Sequence, residues 1–480
     1  MNVPMICSIL GVVLYAEGAF MIPALVMALC WQEWAAVAGF SASALVSLIV
    51  GTLFRFPRVK RRDYYAREGL VTVGLAWLLL SLAGALPYHI SGAVPSYLDC
   101  FFETVSGFTT TGASILPDVE ALPRSLLYWR SFTNWLGGMG VLVFVLAIRP
   151  TSESSGSTLH LLRAESPGVR VEKLVPRMRR STSILYLIYI GLTVVMFLFL
   201  VFDMPVFDAL TTALATGGTG GFSVKNAGMA VYSSYSQTVI TVFMLLFSVN
   251  FTVYYLILLG QLGRAVRNAE LWWFLGIAGF AMLSIAWNIL PSFGSFSEAF
   301  HHAAFTVASV SSTTGFAISD FDLWPWFSKM LLLALMFLGA CAGSTAGGIK
   351  IVRILIAAKS ARRGIRRAVH PQEVRMLHMD GGTIDEETAS SVSVFLLVYF
   401  GIFLALVLLL ALDGQDFVTT FSAAASCLNN IGPALGSAGP MANYNCFSAP
   451  GKLLLSLAML AGRLELYPVL VLFLPSTWRK

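Results

Sequence analysis

Ten apolar stretches, at 4–29, 34–54, 70–88, 125–148, 182–203, 236–260, 271–291, 327–358, 391–412 and 452–475, leave this chain few ways to fold. The hydrocarbon core of a bilayer is about 30 Å thick, and a helix needs about 20 apolar residues to cross it. No water meets backbone N–H and C=O groups there, so a spanning segment must satisfy its own by coiling. Charged residues make up only 12% of the chain, against about 25% in a soluble domain, and mean hydropathy is +0.77. The fold class that follows is an all-α polytopic membrane protein. The first stretch lacks the basic flank of a cleavable leader and reads as a span. It contains Glu17, a carboxyl expected to face other helices.

Sorting charge by alternate loops orients the chain. Loops 55–68, 149–180, 261–270 and 350–390 with the C-terminus hold 25 of the 31 Lys and Arg and 11 of the 25 Asp and Glu, a net of +14. The other side nets −7. Basic loops stay in the cytoplasm, so both termini are expected there. The overall +6 is then topology, and no nucleic-acid partner is implied. Six scattered cysteines show no metal-ligand spacing; Cys427 and Cys446 fall on the same outer face, but a disulfide is not the expectation.

Residues 106–114 read SGFTTTGAS, and similar runs recur as ATGGTGGFS (215–223), SSTTGFAIS (311–319) and LNNIGPALG (428–436). Gly112, Gly220, Gly315 and Gly432 lie 108, 95 and 117 residues apart. Each follows a stretch too short or too polar to span, beginning near Asp99, Asp208, Glu298 or Asp416, as suits a helix N-terminus. The unit is span, short re-entrant helix, glycine-containing loop, span. Four such pseudo-repeats around one central pore, with two extra N-terminal spans, divide the chain at 1–68, 69–180, 181–269, 270–390 and 391–480. Loops at membrane depth must be enclosed or line a wet cavity. Thr-Gly loops can turn carbonyls toward an axis, since Gly permits φ > 0, and rings of neutral oxygens replace the hydration shell of an alkali cation.

The eighth stretch is too long for a simple span and contains GACAGSTAGG at 339–348. Each Gly costs a helix interior about 1 kcal/mol, so the stretch is expected to unwind. Gly339, Gly343, Ser344, Thr345, Gly347 and Gly348 form either a mobile loop across the pore or a small-residue packing seam. Arg463 stands deep in the last span, where insertion costs about 2.5–3.5 kcal/mol. Glu465, two residues on, faces elsewhere on a helix. Arg463 therefore either lines a wet pore as part of a gate or pairs with a more distant carboxylate.

At these residues the chain resembles the TrkH/KtrB family of bacterial potassium-uptake proteins, relatives of fungal Trk and plant HKT transporters. The resemblance runs through ILGVVLYAEGAFMIPALVMAL, REGLVTVGLAWLLLSLAGALPY, SGFTTTGAS, NWLGGMGVLVF, GACAGSTAGGIK and AGRLELYPVLVLF. The two extra spans favour the TrkH branch. The resemblance implies K⁺ as the transported ion, no organic cofactor, a homodimer, and a cytosolic TrkA-type regulatory ring that itself binds NAD(H) or adenine nucleotides. It puts filter positions at Thr110–Thr111–Gly112, Gly218–Thr219–Gly220, Thr313–Thr314–Gly315 and Asn430–Ile431–Gly432, and a gate at 339–348 with Arg463. Gly112 itself argues for K⁺ over Na⁺, because related plant transporters with Ser there prefer sodium. Asn430, Ile431 and Pro433 make the fourth loop the odd one. The basic cluster Arg362, Arg363, Arg366 and Arg367 suits a partner protein or anionic membrane lipid.

An ion-coupled secondary transporter is the main rival, although only Glu17 and Glu465 are intramembrane carboxylates available to carry a coupling ion. An enzyme is a weak rival. The six His residues form no ligand set, and neither GGTGG nor GSTAGGIK fits a phosphate loop.

Overall fold

A computed structural model describes residues 1–57, 65–140, 178–372, 376–379 and 382–479. Residues 141–148 of the fourth expected span, and most of the 149–180 linker, lie outside these.

Among the described residues the protein is mostly helical. Val3–Cys30, Trp34–Arg55, Ala66–Ile90, Ser183–Val201, Ala269–Ser292 and Glu386–Asp413 are long and apolar enough to cross a membrane. The small exception to helix is an antiparallel hairpin, Leu377–Met379 with Gly382–Ile384. Four shorter helices alternate with the spans: Tyr97–Phe108, Val206–Gly217, Phe296–Ser311 and Phe417–Asn429. We refer to these as pore helices one to four. Their acids stand where the sequence implies. Asp99, Asp208 and Glu298 lie in first turns, and Asp416 is an N-cap accepting from the Val418 and Thr419 amides at 3.1 and 3.2 Å. Negative charge at these ends is stabilised by the helix dipole.

The ten-span expectation needs correction at the helix that follows each pore loop. Arg124–Gly138 stops before Gly140, which has φ 81°. Ser234–Ser248 and Phe251–Leu258 meet at 90°, so 236–260 is not a straight span. Trp326–Leu338 is followed by irregular chain up to Ile351–Val369, the expected unwinding of 327–358. Ala449–Arg463 breaks before Tyr467–Phe473, because Glu465 and Leu466 take φ 53° and 69°. The second and fourth breaks carry no glycine. Asn250 caps the new segment by accepting from the Thr252 amide at 2.9 Å, and at Glu465–Leu466 tertiary contacts impose the turn.

Each pore helix ends buried. Residues Cys100–Phe108 of the first are all buried. The flanking helices approach so closely that side chains are excluded: a methyl on Gly137 would lie 1.9 Å from the Phe108 carbonyl oxygen, and one on Gly462 would lie 2.0 Å from that of Leu428. All six cysteines are free thiols, Cys427 and Cys446 included.

Gly462→Ala must push the last helix off the fourth pore helix. Overpacking of this kind costs about 1–3 kcal/mol, so a lowered melting temperature of the purified protein is expected in a thermal-shift assay.

Candidate permeation site

The four pore loops repeat one backbone conformation. Thr110, Thr219, Thr313 and Asn430 have φ 55°, 55°, 57° and 56°, in the left-handed region. The next amide in each loop folds back on the helix it leaves: Thr111 to Ser106, Gly220 to Ala215 and Thr314 to Ser309 at 2.9 Å, and Ile431 to Ser426 at 3.0 Å. This C-terminal cap satisfies a helix carbonyl that would otherwise be orphaned. Two residues beyond each left-handed position stands a glycine with positive φ, namely Gly112 (78°), Gly221 (65°), Gly315 (82°) and Gly432 (104°).

That pattern corrects the second loop by one residue. Its equivalents are Thr219–Gly220–Gly221, and Gly218 occupies the place of Thr109 before the turn. The glycines of ATGGTGG allow either alignment on paper; backbone dihedrals and hydrogen bonds choose between them.

The loops meet in a closed ring. A side chain added at Gly112 would lie 2.2 Å from the Gly220 carbonyl oxygen, at Gly221 1.9 Å from that of Thr314, at Gly315 2.0 Å from that of Ile431, and at Gly432 2.6 Å from that of Thr111. Each glycine thus abuts the middle residue of the following loop, and the fourth returns to the first. Above the ring a cavity of about 220 Å³ is lined by all four loops. The fourth loop differs in detail. Asn tolerates the left-handed region, and Asn430 Nδ2 also donates to Thr111 Oγ1 at 3.0 Å and to the Met459 carbonyl at 2.9 Å. The Gly432 carbonyl accepts from the Ser426 and Tyr444 hydroxyls at 2.9 and 2.6 Å.

Behind the first loop lies a buried ion pair. Arg130 Nε and Nη2 reach Glu103 Oε1 at 2.8 and 2.6 Å, with both side chains at most 2% exposed. The same carboxylate accepts from the Ser114 hydroxyl and the Ile115 amide at 3.0 and 3.1 Å. Arg130 continues to the Ser223 carbonyl at 3.0 Å and covers the Phe222 ring. One pair therefore ties the first two loops together. Sorted by loop, these residues counted only as outer-face charges; their setting inside FFETVSG and YWRSF was the signal of burial. At the rim, the Asn226 amide donates to Asp118 at 2.7 Å and holds its carboxyl below the usual range, so this charge at the mouth persists into mild acid.

Below the ring runs the irregular segment between Leu338 and Ile351. The Gly347 amide donates to Thr313 Oγ1 at 2.8 Å, which sets the segment directly under the third loop. Gly339, Gly343 and Gly348 all have positive φ, while Ser344 bonds the Cys341 carbonyl at 2.6 Å and Thr345 that of Phe247 at 3.2 Å. Arg463 donates to the Thr345 carbonyl at 2.8 Å, to that of Gly138 at 2.6 Å, and to that of Gly137. It bridges the segment to the first repeat. Glu465 pairs instead with Arg353.

The remaining singled-out residues lie off this axis. Glu17 is fully buried near Gly84 and Thr104, behind the first pore helix, and neither carboxyl oxygen has a hydrogen-bond partner. His301 bonds Gln237 at 2.7 Å and His302 packs on Phe293. No cluster of three metal-ligating side chains occurs among the described residues.

A chain built this way moves something across a membrane rather than transforming it. Residues 38–480 match the family model described as TrkH, cation transport protein. The Trk system potassium uptake protein TrkH of Escherichia coli (strain K12) is 35% identical over 477 residues, 98% of this chain and 97% of that one. The protein of the same name from Halomonas elongata is 34% identical over the whole of both chains. The crystal structure of the potassium transporter TrkH from Vibrio parahaemolyticus superposes with a TM-score of 0.89 at 32% identity, covering 100% of each chain. The chain belongs to the TrkH family of cation transport proteins, and is a polytopic membrane transporter.

Arg130→Ala would strand the Glu103 carboxylate in the interior. Breaking a buried pair from one side costs about 3–5 kcal/mol, so the variant is expected to show a markedly lower melting temperature and poor recovery from the membrane.

Proposed function

We propose that this protein takes up potassium ions across the bacterial inner membrane through a pore whose selectivity filter is made of backbone carbonyls. The filter residues are Thr110–Thr111–Gly112, Thr219–Gly220–Gly221, Thr313–Thr314–Gly315 and Asn430–Ile431–Gly432. The closed glycine-to-carbonyl ring is the observation that carries this reading, because it brings uncharged oxygens from four loops to one axis. Neutral carbonyls can replace a monovalent cation's water, whereas rings of carboxylates would favour stronger binding of divalent ions. The pore helices direct the negative ends of their dipoles at the same place. The two hydroxyls bonded to the Gly432 carbonyl make the outer end of the ring unequal, in keeping with selectivity below that of a symmetric channel. Potassium in the names of the relatives points the same way.

The segment 339–350 is the gate and Arg463 its latch. Arg463 sets a positive charge beneath the filter and holds the Thr345 carbonyl, so cations meet both a barrier and an obstruction. Both termini are cytoplasmic, the protein is a homodimer, and the gate answers to a cytosolic TrkA-type ring that binds NAD(H) or adenine nucleotide. The charge asymmetry supports this orientation. The basic helix Ile351–Val369 continues from the gate and offers the ring or anionic headgroups a surface.

Expression in a bacterial strain lacking its own potassium uptake is expected to restore growth at low K⁺. Gly112→Ser places a side chain 2.2 Å from a carbonyl oxygen at a positive φ, so preference for K⁺ over Na⁺ should fall by about tenfold, equivalent to 1.4 kcal/mol of differential binding. Unaltered selectivity would remove the first loop from the filter. In liposomes carrying an electrical gradient, Arg463→Ala should raise K⁺ flux in the absence of the ring; flux equal to wild type, with and without the ring, would remove Arg463 from the gate.

A further inference from the structure

The gating segment is fastened at both ends by one carboxylate that the pore itself does not use. Glu270 lies in the first turn of Ala269–Ile289 and is 3% exposed. Its Oε1 accepts from the Ala342 amide at 2.7 Å and from the Val352 amide at 3.2 Å. Ala342 immediately precedes the Gly343–Gly348 turn, and Val352 is the second residue of Ile351–Val369. We propose that Glu270 is a positioning residue that holds the gate shut, an inference that rests on the gating assignment of the segment.

Unwinding a membrane helix leaves amides without their helical partners, and those at the start of the resumed helix are most in need of an acceptor. An anion there gains both the dipole and charge-assisted hydrogen bonds. Glu270 is not needed to start its own helix, since Asn268 already caps it by accepting from the Leu271 amide at 3.0 Å. Next to Val352, Arg353 pairs with Glu465 at the break in the last helix and lies over the Phe395 ring. Thus the residue pair 352–353 is fastened at once to the third repeat through Glu270 and to the fourth through Glu465. Between the two amides bonded to Glu270, the segment touches the pore loops and Arg463 through single hydrogen bonds at Gly347 and Thr345. With the ends released, those bonds and two to the second repeat, from the Phe251 amide to the Gly343 carbonyl at 3.0 Å and from the Thr345 hydroxyl to the Phe247 carbonyl at 3.2 Å, would have to keep the segment under the filter.

The test is K⁺ flux in liposomes under an electrical gradient, without the regulatory ring, for Glu270→Ala and Glu270→Gln beside Arg463→Ala. Glu270→Ala is expected to raise basal flux by about tenfold or more, the effect of losing a hydrogen bond to a charged acceptor. Glu270→Gln keeps an acceptor but no charge and should give a smaller rise, with K⁺ over Na⁺ preference unchanged in both. A merely structural role would lower flux and melting temperature and could not increase flux. If Arg463→Ala raises flux while both Glu270 variants match or fall below wild type, or if neither folds, this inference is wrong and the gate stands. If Arg463→Ala is also without effect, the gating assignment itself fails.

Discussion

Backbone groups stripped of regular structure at membrane depth have no water to turn to, and the protein answers that problem the same way four times. After each pore helix a residue enters the left-handed region, and the next amide closes onto a carbonyl five residues back. The helix ends without leaving that amide bare, and the loop beyond it is left with carbonyls to offer. In three loops the left-handed residue is threonine, for which such a turn costs about 1–2 kcal/mol. The conformation persists because the neighbouring loop presses on each glycine, leaving no room to relax. Strain of this sort is tolerated where surrounding structure over-determines it.

The ring is pseudo-symmetric in backbone but not in support. Glu103 and Arg130 brace the first two loops from behind, Thr313 is engaged by the irregular segment below the ring, and Asn430 reaches across to Thr111. Because each loop leans on the next, a change behind one loop is felt by its neighbour. The buried pair adds little net stability of its own, since desolvating two charges offsets most of their attraction, but it fixes the first two loops to one another.

The helices that follow the second, third and fourth pore loops are interrupted on the side of the ring away from the vestibule, and of these only the third expands into a long irregular segment. That segment accepts hydrogen bonds from Phe251 and Arg463 and donates to Glu270 and Thr313, residues of three different repeats. Its conformation therefore depends on how the repeats sit together.

Composition, run length and charge by loop were enough to read out the membrane class, the ten apolar stretches, the four pore-helix units and the glycine-rich break near 339–348, because these are local properties of the chain. Gly112, Gly315 and Gly432 were legible for the same reason: only glycine is comfortable where backbone must turn and touch backbone. What tertiary structure alone decided was the register of the second loop, where four glycines at 217, 218, 220 and 221 fit more than one alignment. It also decided the break at Asn250, where the helix bends without a glycine, and the one at Glu465 and Leu466, where ordinary residues take positive φ. The partners of Arg130, Arg463, Glu465 and Glu270 were likewise hidden, since they lie between 27 and 326 residues away along the chain. Sequence declares what a segment can bury; which carbonyl or carboxylate then meets a stranded donor depends on distances that exist only once the helices have packed.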